Sequence, residues 1–297
     1  MNHNIEHLNH RFQLMEVMNK IVFFSGFILL VLIICPIVTA YDERAVQYYD
    51  EGVDFAKPGQ FTEAVASYDK AIAINPDYFE AWTGRGLALR KLGRYSDAIA
   101  SYDKAIAINP DYAEAWYGRG LSLGILDRHT EALASFNNAI AINPNVAEVW
   151  YARGLTLSIL DRHTEAVASY DKAIAINPDY AEAWYGRGFS LSILGRYTEA
   201  VASYDKAIAI NPNDAELWYV RGLTLGKLDR HTEAVASYDK AIAIIPNYTE
   251  ARFYREIARV ELEEQTPTTP TTPLLYAPIG AIVLMAGIAV LSQRRAL

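Results

Sequence analysis

A stretch of twenty-one residues, ASYDKAIAINPDYAEAWYGRG, fills positions 100–120 and returns letter for letter at 168–188. A worn copy, ASFNNAIAINPNVAEVWYARG, stands midway at 134–154, so the underlying period is 34 residues. Six copies run in phase, beginning near Ala45, Phe79, Ala113, Ala147, Ala181 and Ala215. That period leaves few folds open. A unit so short cannot cover its own apolar stripe, so neighbours must cover it and the chain must stack as a solenoid.

Each unit reads as two amphipathic helices, which makes the fold class all-α. In the first helix of the fifth unit, Trp184, Gly188 and Leu191 fall at i, i+4 and i+7 on one face. In its second helix Ala200, Tyr204 and Ala207 do the same. Asp179 is the expected N-cap of the first helix, with Glu182 completing a capping box, and Thr198 the expected N-cap of the second. Gly195 stands where the first helix ends and a left-handed residue is wanted. Small residues at Gly188 and Ala200 leave room for Trp184 and Tyr204, so paired helices approach closely.

With Ala113 as place 1, the units repeat Trp at place 4, Gly at 8, Leu at 11, an aromatic or His at 17 and Ala at 20. An aromatic at 24, Ala at 27 and Pro at 32 follow. This framework resembles the tetratricopeptide repeat (TPR), over Tyr41 to Gln265. The resemblance implies a right-handed superhelix of helix-turn-helix units, six of them over 41–248, closed by a capping helix at 249–265. Phe253, Ile257 and Val260 are expected on the inner face of that cap, with Arg252, Arg255, Glu256 and Arg259 in solvent.

The resemblance also implies a non-catalytic protein-interaction scaffold whose first helices line a concave groove at places 2, 5, 9 and 12. Carried onto this chain, place 2 gives Glu80, Glu114, Glu148, Glu182 and Glu216; place 5 gives Tyr49, Tyr117, Tyr151, Tyr185 and Tyr219, with Thr83 the exception. Place 9 gives Val53, Leu87, Leu121, Leu155, Phe189 and Leu223. A tyrosine row beside a carboxylate row suits an extended protein or peptide segment rich in basic or aromatic residues. Members that clamp a C-terminal carboxylate use Lys and Asn at groove places that hold Tyr and Leu here, so that ligand class is not expected.

Two apolar runs frame the repeats. Residues 1–40 read as a signal peptide or an uncleaved signal-anchor around Ile21–Ala40, with Met18 an alternative start. Thr266–Pro273, TPTTPTTP, reads as a stiff polyproline-type stalk. Residues 274–292 read as a transmembrane helix, followed by a short basic tail at 293–297. Lys20 at one end and Arg294 with Arg295 at the other predict a cell-membrane protein, single-pass or two-pass, with the repeat body outside. The layout resembles membrane-anchored prokaryotic TPR proteins, archaeal ones included. A membrane-tethered cytoplasmic adaptor and a surface spacer or adhesion element are the alternatives.

Several functions are disfavoured by composition. The region 41–265 carries 33 acidic against 23 basic residues, which repels phosphate backbones, so nucleic acid is not an expected partner. Cys35 is the only cysteine, so no intrachain disulfide forms. His129, His163 and His231 occupy place 17 in copies of DRHTEA, too few ligands for a metal site. No cofactor is expected and no catalytic constellation is present, so the chain does not read as an enzyme. Asn247-Tyr248-Thr249 is the one N-glycosylation sequon.

Overall fold

A computed structural model describes residues 43–265. Thirteen helices fill this range, and no strand occurs among the described residues. Helix α1 is described over 43–56. It is followed by α2 Phe61–Ile74, α3 Phe79–Lys91, α4 Tyr95–Ile108, α5 Ala113–Ile125, α6 His129–Ile142 and α7 Ala147–Ile159. The series continues with α8 His163–Ile176, α9 Ala181–Ile193, α10 Tyr197–Ile210, α11 Ala215–Gly226, α12 His231–Ile244 and α13 Thr249–Gln265. Odd and even helices are the first and second helices of the units. Each second helix packs on its own first helix and on the first helix of the next unit. The result is an all-α solenoid.

One ring per unit carries that packing. The place-24 aromatics Tyr68, Tyr102, Phe136, Tyr170, Tyr204 and Tyr238 are all buried. Tyr170 is gripped from both sides: a Cβ on Gly154 of its own unit would stand 2.7 Å from Cε1, and one on Gly186 of the next unit 2.6 Å from Cζ. Burial pushes the Tyr170 phenol up to about 12, so it stays protonated and shares a hydrogen bond with Ser158 Oγ at 3.3 Å. Glycine does not face every ring: Phe136 meets Ala152, Tyr204 meets Val220 and Tyr238 meets Tyr254 of the next unit. The expected room beside Gly188 is therefore used by Tyr204. Trp184 instead turns to the preceding loop, donating Nε1–H to Pro178 O at 2.9 Å.

Helix starts depart from expectation. Helix α9 begins at Ala181 with Tyr180 as N-cap and no side-chain cap. The residue that organises the loop is Asn177, whose Oδ1 accepts from Asp179 N at 3.1 Å. An Asx turn at the end of one unit thus replaces the capping box. Asp214 does cap by side chain, accepting from Glu216 N. Thr198 lies inside α10, which starts at Tyr197 behind Arg196. Arg196 folds over the first turn and grips both carboxylate oxygens of Glu199 at 2.7 Å.

That grip recurs at Arg128–Glu131, Arg162–Glu165 and Arg230–Glu233. In each, the arginine hydrogen bond holds the glutamate below its ordinary pKa. A depressed acid stabilises the fold above its unfolded pKa, and that contribution is lost as pH falls through the folded value. The urea midpoint should therefore hold from neutrality to about pH 5 and drop below it. A Glu131→Gln, Glu165→Gln, Glu199→Gln variant should show a shallower drop; an unchanged acid slope would remove the pairs from the account.

First helices end on a left-handed residue. Gly195 has φ +73°, as its position suggested, but Asp127, Asp161 and Asp229 occupy the same place at φ 56–57°. An L-residue is strained there, less so for Asp than for most. Asp161→Gly should raise stability by about 0.5–1 kcal/mol, read as a higher urea midpoint at unchanged slope.

Helix α13 lies in phase with the repeat, starting 34 residues after α11, and is the first helix of a seventh unit. Only Ala251 and Ala258 are fully buried, with Phe253, Tyr254 and Ile257 half-buried; Val260 is exposed and Arg255 half-buried, which corrects the expected inner and solvent faces. Places 4, 8 and 11, which elsewhere face a second helix, are Arg252, Glu256 and Arg259. At the other end, α1 carries Gln47, Asp50, Glu51 and Asp54 on the side where a preceding unit would pack. Polar residues close the stack at both ends.

The expected membrane placement is not sustained. Among the described residues no helix is long and apolar enough to cross a membrane. The segments read as signal, stalk, transmembrane helix and basic tail (1–40 and 266–297) lie outside the described residues.

The candidate site on the inner face of the solenoid

Successive first helices touch one another (α3 with α5, α5 with α7, α7 with α9, α11 with α13), so they crowd the inner side of the curve. Places 3, 6 and 10 of each face the preceding second helix, and places 4, 8 and 11 face its own. What remains open is a strip through places 2, 5, 9 and 13.

At place 2, Glu114, Glu148, Glu182 and Glu216 are exposed and Glu80 is half-buried. Glu80, Glu148, Glu182 and Glu216 each lie near the place-5 tyrosine of the unit before, whereas Glu114 follows the unit whose place 5 is Thr83. The phenols of Tyr49, Tyr117, Tyr151 and Tyr185 are raised first by burial and next by Glu80, Glu148, Glu182 and Glu216 respectively. These tyrosines are half-buried rather than free. Tyr151 packs its ring 6.0 Å from Tyr170 and 5.0 Å from Tyr180, and Tyr219 packs 6.2 Å from Tyr238 and 5.1 Å from Tyr248. Tyr117 leans on Phe136, Tyr185 on Tyr204, and Tyr49 on Tyr68 and Tyr78. Tyr248 donates its hydroxyl to Glu216. One face of every place-5 ring is thus committed to the fold.

Place 9 is more open: Leu87, Leu155 and Phe189 are exposed, Leu121 and Leu223 half-buried. The outer edge differs from expectation. Place 12 turns into the joint between units, where Ser158 Oγ shares a hydrogen bond with Ser190 Oγ at 3.0 Å. The outward row is place 13, with Ile125, Ile159 and Ile193 at 50%, 52% and 57% exposure. Lys91 holds that place at the end of α3, and Lys227, the C-cap of α11, holds it there. The central three first helices therefore present an apolar edge, bounded by a lysine at each end, with the acidic row on the far side of the tyrosines.

A second feature was missed by sequence reasoning. Arg187 at place 7 donates Nε–H to Asp171 Oδ1 of the preceding unit at 2.6 Å and Nη1–H to Ser203 Oγ of its own at 2.7 Å. Arg85, Arg119 and Arg221 repeat both bonds. The signal was present: Asp sixteen residues before the arginine and Ser sixteen after it.

His163 stacks edge-on to Phe189 with centroids 6.4 Å apart, and His231 Nδ1 lies 3.1 Å from Glu261 Oε2. No group of three or more His, Cys, Asp or Glu side chains with metal-binding spacing occurs among the described residues. Asn247 is exposed in the loop before α13.

Family models for the TPR match residues 52–93, 86–124, 159–192 and 191–229, and further tetratricopeptide models match 113–146, 135–168 and 215–248. An uncharacterized protein of Methanocaldococcus jannaschii is 40% identical over 48 residues, 16% of this chain and 56% of that protein, so the match spans little more than half of the relative. Among solved structures, YrrB, described as a TPR protein with an unusual peptide-binding site, matches with TM-score 0.59 and 25% identity over 64% of this chain and 97% of its own. MamA matches with TM-score 0.53 and 28% identity over 59% of this chain and 95% of its own. PilF of Pseudomonas aeruginosa shares the fold, with TM-score 0.63 and 18% identity over 73% of this chain and 99% of its own.

Proposed function

This chain belongs to the tetratricopeptide repeat family, whose members are protein-interaction scaffolds, and we propose that it binds a partner segment along its inner face without catalysing a reaction. The observation that carries this reading is the open edge of Leu155, Phe189 and the place-13 isoleucines, facing the exposed glutamates across the tyrosine row. Solvent-facing apolar rows of that kind are what a partner covers. The matching segment presents apolar residues to the edge and Lys or Arg to the acidic row. That YrrB is described as having a peptide-binding site lends support.

The tyrosines shape this floor more than they grip a ligand, so alanine at place 5 would disturb packing and binding together. A cleaner test puts a photoreactive phenylalanine at Phe189 in the full chain in cells. Intermolecular adducts are expected from that site and not from Ala175, which is exposed on α8. Adding Leu155→Asp should remove at least nine-tenths of the adduct while circular dichroism stays unchanged. Adducts equally strong from Ala175, or none from Phe189, would defeat the reading in favour of a spacer that binds no defined partner.

A further inference from the structure

Among near-identical units, the places where one differs carry what the others cannot. Helix α3 departs from α5, α7 and α9 at three places towards the inner face. Thr83 stands where they have tyrosine, Arg90 where they have glycine or serine, and Lys91 where they have isoleucine. Thr83, Leu87 and Arg90 fall at i, i+4 and i+7, on one face of the helix. Leu87 is 43% exposed, and Lys91 is exposed one turn beyond it. Thr83 brings no ring to Tyr102, whereas Tyr151 packs on Tyr170 in the equivalent pair.

Arg90 lies there instead. Burial raises the phenols of Tyr102, to about 12, and of Tyr117, where Glu148 adds to the rise; the Arg90 charge partly offsets it in both. The guanidinium therefore stands between two neutral rings of successive units. Its Nε is buried without a hydrogen-bond partner. Neither Arg90 nor Lys91 pairs with a carboxylate among the described residues. Lys57, at place 13 of the first unit, is by contrast held by Asp54 at 2.9 Å. Two adjacent cations thus lack a counter-charge in a repeat body that is otherwise rich in acid. A buried N–H without an acceptor costs stability. Once the head group turns outward, Nε–H and Nη–H can grip one carboxylate side by side.

We propose that Arg90 and Lys91 form an anion subsite at the α3 end of the inner face, which takes an aspartate or glutamate side chain of the partner segment. This rests on the reading of the inner face as a binding surface. The acidic row at place 2 lies on the far side of the strip, so an acid held at places 12 and 13 keeps clear of it. The subsite also gives the segment a direction, with its acid towards α3 and its apolar residues on α5, α7 and α9. Packed helices lie about 8–10 Å apart, so the three steps from α3 to α9 cover about 27 Å, or about eight residues of extended chain.

The test adds Arg90→Met with Lys91→Gln to the full chain carrying a photoreactive phenylalanine at Phe189 in cells. The adduct yield should fall at least tenfold, against less than twofold for Lys172→Gln, which is exposed on α8. An unchanged yield overturns the subsite and leaves the binding reading standing. No adduct from Phe189 even without these substitutions removes both. Stability separates this role from a structural one. The urea midpoint of Arg90→Met should equal or exceed that of the unchanged chain, because a donor without an acceptor is lost. A lower midpoint with an undiminished adduct assigns Arg90 to the fold instead. A second photoprobe at Leu87 identifies the residue captured beside the cations. Mass spectrometry of that adduct should place an aspartate or glutamate of the partner within two residues of the crosslink. Changing that acid to its amide should lower the yield as much as Arg90→Met does, and the two changes together should lower it no further. A neutral, basic or phosphorylated residue in its place, or losses that multiply, overturns the proposal.

Discussion

Gly186→Val is expected to lower the stability of the repeat body by about 2–3 kcal/mol and to split one unfolding transition into two. A Cβ at Gly186 would stand 2.6 Å from Tyr170 Cζ, well inside van der Waals contact. Tyr170 is held by Gly154 on its other face and is 1% exposed. The α8–α9 joint must therefore open to admit the side chain, as the more loosely packed α10–α11 joint does where Tyr204 faces Val220. The few tenths of a kcal/mol gained by removing a helical glycine are too small to offset this. In a solenoid each unit touches only its neighbours, so a damaged joint between α8 and α9 uncouples the flanking blocks. Urea unfolding followed by tryptophan fluorescence and circular dichroism should then give non-coincident curves. The milder pair Gly186→Ala with Tyr170→Phe copies the natural solution, in which Ala152 faces Phe136. It should recover about half of what Gly186→Ala alone loses. Additive losses in that cycle would mean the hydroxyl and the missing Cβ are unrelated.

What the sequence showed and what it hid follow from how far apart the cooperating residues stand. The helices, their pairing and the stacking were legible because Trp184, Gly188 and Leu191, or Ala200, Tyr204 and Ala207, share a face within one helix. The caps were misread because two local signals compete. Asn177 and Asp179 both suit a helix entrance, and only geometry shows that Asn177 takes the amide of Asp179. Place 13 was missed because a half-exposed isoleucine at a helix end looks like core, and its exposure depends on how the next unit lies. Val260 was assigned inward from its apolarity, although α13 buries small Ala251 and Ala258 instead. The tyrosine row was seen as residues but not as packing, since the partner rings of Tyr151 come nineteen and twenty-nine positions later, at Tyr170 and Tyr180.

The arginine rungs make the last of these long spacings testable. Arg187→Ala removes a charged bond to Asp171 and a bond to Ser203, each spanning sixteen residues. The guanidinium side chain is 20% exposed and its carboxylate 51%, so solvent screens part of the ion pair. A net loss of about 2 kcal/mol is expected after that discount. Lysine should not rescue it, because one ammonium cannot reproduce two divergent N–H bonds in a fixed fork. The rung at Arg153 is different. Its acceptor is Asn137, at 2.7 Å, so the half-buried guanidinium meets a neutral amide instead of a carboxylate. Burial lowers the pKa of Arg153 below that of an ordinary arginine, and its carboxylate neighbour Glu165 only partly counters this. Arg153→Ala should therefore cost about half as much as Arg187→Ala, and Asn137→Asp should stabilise by about 0.5–1 kcal/mol. That gain should shrink in 1 M salt while the Gly186→Val loss does not, since one is Coulombic and the other steric. If Asn137→Asp instead destabilises at low salt, the excess negative charge of the repeat body outweighs the local pair. The Phe136–Asn137 joint would then be the tuned one rather than the weak one.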